Sequence, residues 1–330
     1  MPTWMPLDRF LNFTSPPAFL AAIDRKRERS WWRILLTLLF LAVGFLVLSF
    51  VTFGISVLAG GLLLSAFGAG GMAEAVEVVM AMAEQTPGGL DGLLPEAVMI
   101  LTLGVTFGGL TLGLLLVLKL MFRRPMRTWI TAAPRFRWKL MLAGLLLHGG
   151  VLAVWLTIAW ALGDETIKPP LFDAATPLDI RLTYLVIVLV CLPVAAAFEE
   201  VLCRGWMMQM TGAFTRNLIP LVLLNGLIFS ALHLDPDLGR NVSRLAIGVV
   251  LSYGALRLGG MELSIGAHAA NNIMIALFVS TLSSNLDTSK ATTAGEVAVD
   301  LLASVALIVV IEAVARWTPL RRWTGAEVSR

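Results

Sequence analysis

The chain has 330 residues, 58% of them hydrophobic and 14% charged, with a mean hydropathy of +0.83. Soluble domains carry roughly a quarter charged residues, so this deficit, together with several apolar runs of about 20 residues, excludes a soluble globular fold and predicts an all-α, polytopic helical membrane bundle. The runs do not alternate as barrel strands do, and the net charge of +3 sits beside them, where it sets topology and implies no nucleic-acid partner.

In chain order, residues 1–30 form a cytoplasmic N-terminal segment that ends in the basic collar Asp24-Arg25-Lys26-Arg27-Glu28-Arg29. Met1 to Ile23 lack the charged, apolar and small-residue succession of a removable signal peptide. Residues 31–180 hold the N-terminal spans, the first from Trp32 to Ile55 behind an aromatic anchor of Trp31 and Trp32. Residues 56–95 are broken by Gly60, Gly61, Gly68, Gly70 and Gly71, carry Glu74, Glu77 and Glu84, and reach Pro87-Gly88-Gly89; they read as an external, partly amphipathic connection.

A second span runs from Glu96 to Phe122 and a third from Trp138 to Leu162, joined by a short basic loop that belongs inside. The second carries GxxxG spacing at Gly104/Gly108 and Gly109/Gly113; close helix packing is the first reading, a dimer face the second. The loop 163–178, with Asp164, Glu165 and Asp173, goes outside. Further spans are expected at Arg181–Met210, Asn217–Leu234, Val242–Leu258, Leu263–Leu282 and Val297–Ala315, before the basic tail Arg316-Trp317-Thr318-Pro319-Leu320-Arg321-Arg322. About eight spans put both termini and the three basic clusters on one side, as the positive-inside rule requires. Residues 181–282 form the chemical core, and 283–330 the last span and tail.

That core is organised around Ala197-Phe198-Glu199-Glu200-Val201-Leu202-Cys203-Arg204-Gly205. A charged residue at the centre of a span costs at least about 2.5–3.5 kcal/mol, so two carboxylates and an arginine there demand a reason. Glu200 and Arg204 are i,i+4 with the acid first, the favourable order; they neutralise one another, and Glu199, about 100° round the helix, is left for chemistry. Glu199 and His233 lie equally far from a turn near Arg216, hence at one depth in an antiparallel pair. His268 and Asn272 share a face, but from the turn at Gly259-Gly260 their nominal depth is about 8–14 Å shallower than that of His233; tilt or an overlong fourth helix has to absorb the difference.

A carboxylate beside an imidazole activates water, and a second imidazole with an amide stabilises an oxyanion. The two histidines, His233 and His268, with a carboxylate also make a zinc ligand set. Neither HExxH nor GxSxG is present, and Cys191 and Cys203 lie in apolar sequence and form no disulfide framework. Cys203, His148 and Asn271 are read as packing or structural residues. Bland readings exist for the rest: a buried ion cluster for the acidic motif, a helix cap for His233, and a packing hydrogen bond for His268 and Asn272.

At these residues the chain resembles the CPBP family of intramembrane proteases, which groups type II CAAX prenyl endopeptidases with bacteriocin-processing and self-immunity (lysostaphin-resistance-like) proteins. Its motifs stand as EExxxR at Glu199, Glu200 and Arg204, FxxxH at Phe229 and His233, and HxxxN at His268 and Asn272. The resemblance covers roughly residues 181–282. It implies an intramembrane CAAX-type endopeptidase (a hydrolase of membrane-associated, prenylated or unprenylated, protein or peptide) at a bacterial inner membrane. Glu199 with His233 would be the base, His268 with Asn272 the oxyanion stabilisers or metal ligands, and Glu200, Arg204 and Phe229 their support. The family carries the metalloprotease label, zinc being the metal, alongside a metal-free glutamate mechanism, and in the prenyl proteases the site opens to the cytoplasm. A non-catalytic scaffold or immunity protein with the same fold is the alternative; a transporter is disfavoured because the spans show no internal repeat.

Overall fold

The computed structural model describes residues 17–84, 92–163, 167–215, 217–281, 283 and 291–326. The expected turns at Pro87-Gly88-Gly89 and Arg216, and the acids Glu84, Asp164 and Glu165, lie outside the residues or side chains described. The protein is an integral membrane bundle of helices: α1 (Trp31–Ala66), α2 (Met72–Glu84), α3 (Leu93–Phe122), α4 (Trp138–Ala161), α5 (Leu178–Phe214), α6 (Leu218–Ala231), α7 (Leu238–Leu258), α8 (Glu262–Phe278), α9 (Ala294–Arg316) and α10 (Thr318–Thr324). No strand occurs among the described residues, only an isolated bridge between Thr131 and Gly260.

All eight expected segments are helical, but five of the helices, α1, α3, α4, α5 and α9, are long and apolar enough to cross a membrane. The other three fall short for separate reasons. α6 has 14 residues, about 21 Å of rise against a hydrocarbon core of about 30 Å. α8 has 17 residues, and α7 carries Arg240, Arg244 and Arg257. Of these, α6 and α8 carry Phe229 and the His268–Asn272 pair and α7 joins them, while Glu199, Glu200 and Arg204 stand on the long helix α5.

α1 runs 36 residues, well past the expected end at Ile55. Gly60 and Gly61 do not break it; a Cβ at Gly60 would lie 2.7 Å from Val98, and at Gly61 2.4 Å from Met72 Sδ, so they are the places where α3 and α2 lie against it. The expected external connection is thus the last turns of α1 followed by α2. α2 buries Ala75, Val78 and Val79 against Leu64, Leu94 and Val98 and exposes Glu74 and Glu77 together with the apolar Met72, Val76 and Met80, so it is partly amphipathic. Phe50 of α1 is 73% exposed, which for a helix apolar all round means that lipid is its solvent.

The GxxxG glycines are used within the bundle. Gly104 and Gly108 approach Cys191 and Val194 of α5, while Gly109 and Gly113 approach Thr52 and Leu48 of α1. The tightest approach joins α4 to α8: a Cβ at Gly266 would stand 1.9 Å from the Met141 carbonyl oxygen, and one at Gly144 2.2 Å from that of Leu263.

The end that carries the basic loops is held by buried charge. Arg124 donates to Glu28 at 2.6 Å and to Gln209 at 2.7 Å, and stacks over Trp129 at 4.1 Å. Burial pushes the Glu28 carboxyl up and the Arg124 guanidinium down, each opposed by the other's charge. The loop before α4 pairs with the turn between α7 and α8: Ala132 N donates to Gly259 O at 2.9 Å and Met261 N to Ile130 O at 3.1 Å. Arg137 closes the joint with two bonds to Glu262, at 2.8 and 2.6 Å, and one to Leu258 O at 2.9 Å.

Candidate active site

α5 delivers both carboxylates. Immediately after Glu200 the helix changes to a π-helical stretch, Val201–Met207. Such i→i+5 segments leave backbone carbonyls imperfectly bonded, and inside a bundle these groups need other partners. Asn225 of α6 supplies one, donating from Nδ2 to Cys203 O at 2.9 Å, and Ser252 Oγ stands 2.7 Å from Asn225 Oδ1. Cys203 itself is buried packing.

The expected pairing of Glu200 with Arg204 is present: Arg204 Nη1 donates to Glu200 Oε1 at 3.0 Å, both side chains being fully buried. Arg204 Nη2 donates to Gly248 O of α7 at 2.9 Å, and the guanidinium lies 4.6 Å over the Phe229 ring. Glu200 has a second partner that no local spacing reveals. His268 Nδ1 stands 3.0 Å from Glu200 Oε1, a contact between residues 68 apart in sequence.

Glu199, His233 and His268 are brought together. Glu199 Oε2 lies 3.9 Å from His233 Nε2 and 3.7 Å from His268 Nε2. The depth mismatch expected for His268 is absorbed by the length of α5. Gly205 packs against Trp129 O and Met261, so α5 overshoots the α7–α8 turn before it ends at Phe214. Measured from that level, Glu199 is six residues back along α5 and His268 seven residues up α8, about 9 and 10.5 Å.

The other ring nitrogens are committed. His233 Nδ1 lies 2.8 Å from the Phe229 carbonyl. A carbonyl only accepts, so this nitrogen carries the hydrogen and Nε2 faces Glu199 as an acceptor when the ring is neutral. His233 therefore caps the end of α6 and faces the carboxylate at once. Phe229 is the partition between the imidazoles, its ring centroid 5.0 Å from that of His233 and 5.8 Å from that of His268.

Asn272 is not drawn into this group. Its Oδ1 accepts from Asn271 Nδ2 at 3.4 Å, and no hydrogen bond joins it to Glu199, His233 or His268. His148 is buried with Nδ1 unpartnered, and no hydrogen bond or ion pair joins it to Glu199, His233 or His268.

Two imidazoles and a carboxylate are donors that zinc accepts, but the spacing does not fit it. Among the described residues no three His, Cys, Asp or Glu groups are placed to hold a metal ion.

Fold and site together define a polytopic membrane protein with a carboxylate–imidazole group sunk in its helical core. Residues 181–274 match the family model described as type II CAAX prenyl endopeptidase, Rce1-like, a stretch that takes in all three motifs. The helical core is thus similar to that family over this stretch, and the first 180 residues lie outside the match. The chain is also 29% identical over 174 residues to the uncharacterized protein YyaK of Bacillus subtilis (strain 168), a match that covers 51% of the chain and 56% of YyaK. The chain thus spans about half the length of the curated relative it matches. No solved structure matches.

Proposed function

We propose that the protein is an intramembrane endopeptidase that hydrolyses a peptide bond of a membrane-associated protein or peptide, prenylated or not, in a bacterial inner membrane with both termini cytoplasmic. The observation that carries this reading is the convergence of His233 Nε2 and His268 Nε2 on one oxygen of Glu199, at 3.9 and 3.7 Å.

In this mechanism Glu199 takes a proton from a water that His233 Nε2 orients, and the hydroxide attacks the scissile carbonyl carbon. His268 stands between two carboxylates; as imidazolium it donates from Nδ1 to Glu200 and from Nε2 to the oxyanion. Asn272, whose Oδ1 is engaged by Asn271, has its Nδ2 to donate as a second stabiliser once substrate is bound. When the C–N bond breaks, the proton held by Glu199 passes to the leaving nitrogen. Glu200, Arg204 and Phe229 position His268 and take no proton themselves.

The test is cleavage of a confirmed substrate by purified protein. Glu199→Ala, His233→Ala and His268→Ala should each lose about 10²–10⁴-fold, the usual contribution of a positioned acid–base group. Unchanged cleavage by all three variants would overturn this reading.

A further inference from the structure

Residues 97–163 carry seven arginines and lysines and no aspartate or glutamate. Three of the seven have partners within the protein. Arg124 and Arg137 are paired with Glu28 and Glu262, and Arg127 turns back onto the carbonyls of Thr131 and Ala133. The other four, Lys119, Arg123, Arg135 and Lys139, are exposed, and their side chains make no hydrogen bond or ion pair among the described residues.

Their place on the helices sets the depth at which these four charges stand. On α3, Leu112, Leu116 and Leu120 recur every four residues and are all exposed, the lipid-facing stripe of an apolar span. The stripe ends at Arg123, which closes α3 as its left-handed C-cap with φ 53°, and Lys119 stands beside it. On α4, Leu146, Leu142 and Trp138 form the same kind of stripe read toward the helix start, and it ends at Arg135 and Lys139. Trp138 is 70% exposed at the first position of α4, with Phe136 edge-on to its ring. An exposed indole at the end of a span marks the boundary between acyl chains and headgroups. Each helix therefore leaves the hydrocarbon at a pair of long basic side chains, whose apolar stems lie along lipid while their charges reach the headgroup layer.

We infer that Lys119 with Arg123, and Arg135 with Lys139, bind the phosphate groups of anionic phospholipids at the end of the bundle that carries the basic loops. A guanidinium matches two phosphate oxygens at once, and an ammonium adds a point charge. The preference for a lipid of net negative charge follows from the absence of an available carboxylate. A zwitterionic headgroup brings a cation with its phosphate, and that cation would meet like charge, because the acids bonded to this loop, Glu28 and Glu262, are fully buried in their ion pairs. The loop is also bonded to the α7–α8 turn through Ala132 and Met261 and to α5 through Gln209, so a lipid held across its ends opposes the parting of those helices.

The purified chain, exchanged into an equimolar mixture of phosphatidylglycerol and phosphatidylcholine with identical acyl chains, can be tested by native mass spectrometry. One basic side chain at an anionic surface is worth about fivefold in affinity, so a pair should retain phosphatidylglycerol over phosphatidylcholine by about tenfold or more. Lys119→Gln/Arg123→Gln/Arg135→Gln/Lys139→Gln should abolish the preference without lowering the melting temperature in phosphatidylcholine, since none of the four side chains is bonded within the bundle. Arg123→Lys/Arg135→Lys, which keeps the charges, should retain most of it. Phosphatidylglycerol should raise the melting temperature of the wild type and not that of the quadruple variant. Equal retention of the two lipids by the wild type, a preference that survives in the quadruple variant, or the same stabilisation by inorganic phosphate without lipid overturns the inference. These outcomes are independent of whether Glu199 is a catalytic base.

Discussion

Replacing Glu200 by Gln tests whether this carboxylate only neutralises Arg204 or also positions His268. Its Oε1 receives Arg204 Nη1 and His268 Nδ1, each at 3.0 Å, and the Glu200–Arg204 pair is fully buried. Removing the charge leaves a buried guanidinium whose other bond is to Gly248 O. Breaking one side of a buried ion pair costs about 3–5 kcal/mol, a hundred- to several-thousandfold in the folding equilibrium at about 1.4 kcal/mol per decade. The double variant Glu200→Gln/Arg204→Met removes both charges at nearly constant volume and should recover most of that loss. It does not restore an anionic acceptor for His268 Nδ1, so under the proposed function cleavage should stay about 10²-fold down, the scale of a misplaced catalytic group. Denaturation of the purified protein in detergent and a peptide-cleavage assay read the two effects separately. Full activity in the double variant would refute the positioning of His268 by Glu200; unchanged stability in Glu200→Gln would refute the buried pair.

Two further outcomes follow from the helix joints. Gly266→Ala places a methyl 1.9 Å from the Met141 carbonyl oxygen and should destabilise by about 1–3 kcal/mol or more as α4 and α8 part; Gly150→Ala, with nothing within 4 Å of the added carbon, should be neutral or stabilising in the same melting assay. Asp237 caps α7 by accepting from Arg240 N at 2.7 Å, and the backbone N–H groups of Arg240 and Thr292 hold its carboxyl at about 2, below the usual 3.8. Because the folded-state value is depressed, this stabilisation is present above pH about 4 and is lost as pH falls through about 2; the advantage of wild type over Asp237→Asn should fade across that window, and an advantage that persists at pH 2 would exclude the carboxylate cap.

Much of the site was legible in the sequence because its motifs are local. Glu200 with Arg204, Phe229 with His233 and His268 with Asn272 are each four residues apart, and a helix puts such pairs on one face whatever surrounds it. Glu199 and His233 were also matchable, because an antiparallel pair about a short turn keeps its register. Readings failed where glycine was taken as punctuation: Gly60 and Gly61 sit inside α1 because close helix approach, not a turn, is what they serve. Arg137–Glu262 left no trace in spacing, since 125 residues separate the partners, and Asn225–Cys203 left none because its acceptor is a backbone carbonyl, which no side-chain pattern marks. A charged residue at the start of a helix and an asparagine inside an apolar one were the only signals available.

Composition and periodicity by themselves determined that this chain enters a membrane as helices and that charge is gathered on one stretch of it, because the cost of exposing backbone and charge to lipid is paid segment by segment. Tertiary structure decided the rest. How far α5 overshoots the α7–α8 turn sets whether His268 meets Glu199, and the glycine contact of α4 with α8 sets where α8 stands. These are relations between helices whose tilt and depth depend on every neighbour at once, and no local spacing encodes them.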